Sequence, residues 1–105
     1  MQPKNVETIA KYIHIAGKLQ RTLIINRKKF PELVALQDKI INIPIDRTQR
    51  NPFLYHLEEI GQVLKDNSNT YIVRHLHHYF TKDVEALAQG WELMDLDYYL
   101  NIIER

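Results

Sequence analysis

A chain of 105 residues, 45% of them hydrophobic and 26% charged, carries enough apolar mass for one core and too little length for two, so a single folded domain over residues 1–105 is expected, free-standing or cut from a larger protein. The formal net charge of +1 lacks the overall excess of a strong nucleic-acid binder, and the absence of cysteine excludes a disulfide framework, a thiolate zinc site and a cysteine nucleophile. Three glycines leave no glycine-rich phosphate loop, and no apolar run approaches the roughly 20 residues of a membrane-spanning helix.

Apolar residues recur at intervals of three and four through nearly every segment, while strand-like alternation is scarce, so the fold class is all-α. A first helix is expected to follow Asn5 as its cap. It carries Val6, Ile9, Ala10, Ile13, Gly17 and Ile24 on one stripe and Tyr12, Ile15, Leu19 and Leu23 on another. Two apolar stripes need neighbours on two sides, or leave one of them as a docking surface. Arg27, Lys28 and Lys29 suit the negative end of that helix's dipole, and Phe30 turns the corner. Pro31 opens a short second helix bearing Leu33, Val34, Leu36, Gln37, Ile40 and Ile41, which Pro44 stops, and residues 42–50 read as a loop.

Asn51 and Pro52 are the cap and first turn of a third helix, with Phe53, Leu57, Ile60 and Leu64 on one face and an end at residues 66–69. Thr70 can cap a fourth, in which Val73, Leu76, Phe80, Val84, Leu87 and Trp91 recur on one side. Thr81 offers a second cap that would split this segment, but one long helix is the preferred reading. Asp95 then caps a last helix bearing Leu96, Tyr99, Leu100 and Ile103, and a chain that ends within a helix fits an excised domain. Together these elements predict a compact bundle of about five helices with a radius of gyration of about 13 Å.

Charge gives the first functional indication, because it is unevenly distributed. Between Lys18 and Arg50 the cations Lys18, Arg21, Arg27, Lys28, Lys29, Lys39, Arg47 and Arg50 outnumber Glu32, Asp38 and Asp46. From Asp83 onward the acids Asp83, Glu85, Glu92, Asp95, Asp97 and Glu104 meet only Arg105. Arg21, Arg27, Lys28, Lys29, Arg47 and Arg50 are therefore the candidate contacts for an anionic ligand, such as phosphate on RNA or a lipid headgroup. The plain alternative is that the basic segment packs beside the acidic tail. Phe30 beside three cations also fits peripheral contact with an anionic membrane, or simply a staple at a helix corner. No secretory signal opens the sequence, so the expected location is cytoplasmic, peripheral to a membrane at most. For a protein partner or a second copy of the chain, Tyr12, Ile15, Leu19 and Leu23 are the candidate contacts, provided they are exposed.

His75 and His78 have the spacing that lets two imidazoles share an ion, with His77 at the edge of the apolar stripe. They are weak metal candidates, because a third ligand such as His56 or Glu59 is not placed by spacing, and no cofactor is expected. Ser68 lies in a turn-like Asp-Asn-Ser-Asn segment, and the adjacent Glu58 and Glu59 diverge on a helix, so neither suggests catalysis.

The stretch Arg50-Asn51-Pro52-Phe53-Leu54-Tyr55-His56 resembles the short signature of HEPN ribonucleases, all-α domains whose arginine, polar residue and histidine cleave RNA without metal, usually across a dimer. By that resemblance Arg50 would stabilise phosphorane-like charge, His56 would move the 2′-hydroxyl or leaving-group proton, and Asn51 would orient the site. Read from the residues alone, Asn51 and Pro52 start a helix and His56 sits at the core edge. The sequence as a whole favours a non-enzymatic helical interaction module that binds a protein partner, an anionic ligand, or both. The alternatives are a HEPN-like ribonuclease and a phosphoinositide or anionic-membrane binding domain.

Overall fold

The computed structural model describes residues 3–90, 92–93 and 98–100, with side chains from residue 6 onward. Four helices dominate it: α1 (Pro3–Asn26), α2 (Glu32–Ile41), α3 (Pro52–Asp66) and α4 (Tyr71–Gln89). Residues 98–100 are also helical, and no strand occurs among the described residues. The protein is an all-α bundle of 42 × 26 × 18 Å with a radius of gyration of 13.6 Å. Its organising element is α1, about 36 Å long at 1.5 Å per residue. The other three main helices all pack on α1, and α3 with α4 forms the most extensive pair.

Local chemistry explains most helix ends. Pro31 holds φ at −56°, already helical, immediately before α2. Asn51 caps α3 by accepting the Leu54 amide on its side-chain oxygen at 3.1 Å, with Pro52 in the first turn where no amide hydrogen is needed. Thr70 marks the start of α4 by its extended backbone only, since its side chain makes no capping bond. At the other end Gly90 adopts φ 77°, a left-handed conformation natural to glycine, which stops α4 one residue before Trp91. Trp91, which the expected stripe included, lies outside the described residues, as do Asp95, Leu96 and Ile103. Thr81 lies within α4, which runs as one helix. The start of α1 differs from expectation: the helix begins at Pro3, so Asn5 belongs to its first turn and is not the cap. Its end matches, for Arg27, Lys28 and Lys29 form the turn just beyond Asn26, where the Phe30 amide donates to the Asn26 carbonyl at 3.0 Å.

The core draws Ile15, Leu19 and Leu23 from α1, Leu33 and Leu36 from α2, and Leu57, Ile60 and Leu64 from α3. Ile72, Val73, Leu76 and Phe80 of α4 complete it together with Tyr99. This reverses the expected use of α1. Ile15 is 0% exposed and Ile13 is 60% exposed, so three of the four proposed partner contacts, Ile15, Leu19 and Leu23, are interior residues, and Tyr12 is half-buried. The other stripe, with Val6, Ile13 and Ile24, faces out.

The reason lies in three polar residues that share the buried sector. Lys18, Thr22 and Asn26 follow one another at one-turn spacing and are all buried. Thr22 Oγ1 donates to the Lys18 carbonyl at 2.9 Å and Asn26 Nδ2 to the Thr22 carbonyl at 2.9 Å, so both are satisfied within the helix. Lys18 cannot be satisfied that way. Its ammonium meets Asp83 Oδ2 of α4 at 2.6 Å with both side chains fully excluded from solvent, and the Tyr99 ring lies 4.5 Å from the same nitrogen. One cation of the basic segment is thus neutralised by one acid of the C-terminal segment. No helix among the described residues is long and apolar enough to cross a membrane.

A buried pair of this kind costs most when only one charge is removed, because the other is stranded in a medium of low polarity. Lys18→Met or Asp83→Leu alone should destabilise the fold by about 3–5 kcal/mol, whereas the double substitution should recover most of that loss. Urea unfolding of the three variants measures this, and additive losses in the double variant would refute the account.

Candidate functional site

Between α1 and α2 the core does not close completely. Tyr12, Ala16, Leu19, Gln20 and Leu23 of α1 face Gln37, Ile40 and Ile41 of α2 across a cavity of about 300 Å³. The segment after α2 supplies Ile43 and Ile45, and α3 supplies His56 and Ile60 as the floor. None of these side chains is an acid, a lysine or an arginine. Ile41 is 57% exposed, so the cavity meets solvent beside an aliphatic rim.

Its wall is fixed by one imidazole. His56 Nε2 lies 3.2 Å from the Ile43 carbonyl, and Nδ1 lies 3.0 Å from the Tyr12 hydroxyl. A carbonyl only accepts, so the network assigns the proton to Nε2 and leaves Nδ1 to accept from Tyr12. The Tyr12 ring also packs on Phe53, with centroids 4.8 Å apart, and burial raises its phenol above the ordinary value. The following turn is held by Asp46, whose carboxylate accepts from the Thr48 amide at 3.0 Å, the Thr48 hydroxyl at 2.5 Å and Gln49 Nε2 at 3.2 Å. Hydrogen bonds from Thr48, then Gln49, lower the Asp46 carboxyl below its usual range. With both ring nitrogens of His56 engaged, the cavity has the chemistry of an apolar receptor with polar groups at its margin.

Other candidates from the sequence fall elsewhere. Arg50 and Asn51 line a separate cavity of about 260 Å³ with Thr8, Ile9 and Phe53. His56 lines the first cavity, so the Arg50, Asn51 and His56 set does not share one cleft within the chain. Asn51 is also occupied in capping α3. The anion candidates divide too. Arg27, Lys28 and Lys29 are exposed after the end of α1, whereas Arg50 lies beside Ile9, about 25 Å back along that helix from Asn26. Arg21 is exposed and folds its guanidinium across Gly17, and Arg47 is exposed in the α2–α3 loop. Phe30 is half-buried against the core, with Lys29 Nζ 5.5 Å from its ring, which is the packing of a helix corner.

No group of three or more metal-ligating side chains converges among the described residues. His75 packs on Tyr71 with centroids 4.3 Å apart, and His78 packs edge-on against Tyr79 at 4.9 Å. His77 lies in the groove between α3 and α4. Of the proposed partner contacts, Tyr12, Leu19 and Leu23 do line the first cavity, but from its inner wall. The sequence does not mark Ala16, Gln20, Gln37, Ile41, Ile43 or Ile45 as site residues by charge or motif. A signal for them exists in the apolar alternation of Ile41, Ile43 and Ile45, which continues past the end of α2 into a loop. Comparison with protein-family models, with curated proteins and with solved structures finds no match to this chain.

Burial, then the nearby Lys65 and His78, lower the His77 imidazole below its ordinary value. The unfolded chain therefore takes up this proton at a higher pH than the folded one, so the associated stability is present above about pH 6.5 and lost as pH falls below it. Between about pH 7 and pH 5 the urea midpoint of His77→Gln should decline less steeply than that of the native chain. Parallel declines would remove His77 from the explanation.

Proposed function

We propose that this protein is a non-enzymatic interaction module that receives an apolar side chain of a protein partner in the cavity between α1 and α2. The observation that carries this reading is an uncharged, aliphatic cavity of about 300 Å³ that reaches the surface beside exposed Ile41. That volume is at the small end for a free ligand and suits one or two anchoring side chains, the form in which interfaces concentrate their affinity. Gln20 and Gln37 at the sides offer neutral amides to a partner's backbone.

Exposed Arg27, Lys28 and Lys29 occupy the turn that joins α1 to α2, at one end of the same helix pair. They favour a partner with acidic residues beside its anchor, because such charges steer encounter more than they add affinity. A ribonuclease would need Arg50 of one chain to meet His56 of another, with His56 released from Ile43 or Tyr12. An anionic-membrane or phosphoinositide contact would rest on the same basic turn without Phe30, whose ring packs inward.

Peptides selected for binding from a random display library test the reading. They should share an aliphatic or aromatic anchor with acidic neighbours. Ala16→Phe, which fills the cavity, and Ile41→Glu, at its exposed rim, should each weaken them about tenfold or more while thermal unfolding stays cooperative. Neutralising Arg27, Lys28 and Lys29 to glutamine should weaken binding only a few-fold and reduce its salt dependence. Peptides that bind Ala16→Phe and Ile41→Glu as well as the native chain would overturn the proposal.

A further inference from the structure

The outward face of α1 presents a second, independent feature. Val6, Ala10, Ile13, Gly17 and Ile24 follow steps of four, three, four and seven residues, the spacing of a helix–helix seam. At 100° per residue they fall within about 60° of one another. Val6 is 48% exposed, Ile13 60% and Ile24 44%, with Ala10 exposed between them, so no other element among the described residues covers the seam. Glu7, toward one end, and Arg21, toward the other, both lie along one edge of it and are exposed.

We propose that this face pairs with the same face of a second copy, with the two α1 helices antiparallel. Charge decides the direction. Glu7 and Arg21 share one edge of the seam, so a parallel pair would put the two copies of that edge on opposite sides of the interface and leave both charges unpaired, whereas an antiparallel pair aligns like edges and brings Glu7 of each copy to Arg21 of the other. Apolar fit agrees in the same register. Val6 then opposes Ile24 of the second copy, Ala10 opposes Gln20, and Ile13 opposes Gly17, where the absence of a side chain leaves a hollow. In the isolated chain Arg21 folds back over that hollow, with a guanidinium nitrogen 3.2 Å from where a Cβ of Gly17 would lie. On pairing, this flexible arm moves aside to reach Glu7, and Ile13 takes its place. Glu7 and Arg21 are offset by about 3 Å from ideal opposition in this register, within reach of both side chains. The seam, about 27 Å long from Val6 to Ile24, is one helix wide. It therefore supports a reversible dimer with a dissociation constant of about 10–100 µM rather than an obligate one.

Sedimentation equilibrium of the whole chain from about 5 µM to about 1 mM should show the mass rising from 12.5 kDa toward twice that value. Ile13→Glu, at an exposed position, should remain monomeric throughout with unchanged helix content and thermal midpoint. Glu7→Arg and Arg21→Glu should each weaken association about fivefold or more, and the double reversal should restore it to within about twofold of the native chain. A native chain that stays monomeric at about 1 mM overturns the proposal. So does a dimer that survives Ile13→Glu, or a double reversal no better than the single ones. Ile13 does not line the cavity between α1 and α2, so Ile13→Glu leaves peptide binding there as an independent measurement.

Discussion

The ion pair between Lys18 and Asp83 decides which way α1 faces. A lysine placed inside a bundle is tolerated only where an opposite charge accompanies it, and Asp83 lies on α4, far along the chain. Once the two meet, α1 can rotate little about its axis without drawing both charges apart within the core. The Tyr99 ring covers the ammonium, and burial, followed by the nearby charge of Asp83, pushes its phenol far above the ordinary tyrosine value. The phenol therefore stays neutral, adding an aromatic face and no further charge to an already expensive site. Through this cluster α1, α4 and the helical residues 98–100 are held to one another.

Other features follow from that orientation. With Ile15, Leu19 and Leu23 turned inward, Val6, Ile13 and Ile24 are left on the surface. The flank between the two sectors, with Tyr12, Ala16 and Gln20, becomes one wall of the cavity. Helix α2 is too short to cover that flank along its whole length, and the irregular segment after it continues the opposite wall with Ile43 and Ile45. Exposed seam and half-open cavity are two outcomes of a single helix having apolar residues on more than one side.

Element type and most boundaries were readable because their causes are local. Asn51 with Pro52, Pro31 before α2 and the periodic stripe of α4 each act within a few residues. The inward face of α1 was not readable, since Lys18, Thr22 and Asn26 make the true core sector look polar. Only the bond to Asp83 and the backbone hydrogen bonds of Thr22 and Asn26 make that sector acceptable inside, and the first of these joins residues remote in sequence. At the end of α4 the apolar spacing in the sequence runs on to Trp91, whereas the helix stops at Gln89, where Gly90 takes a left-handed conformation that the spacing does not encode. The cavity was partly legible. Tyr12, Leu19 and Leu23 belong to it, but a gap between elements depends on how far two helices stand apart, which no periodicity encodes.

His56 joins three parts of the molecule at once: it sits on α3, takes the Tyr12 hydroxyl from α1 and holds the Ile43 carbonyl of the loop. Moving the loop outward would break that last bond and uncover aliphatic surface. The walls of the cavity are consequently tied to one another within the folded chain. Under the proposed reading, selection among a partner's side chains would rest on shape matching at first encounter, without rearrangement of these walls.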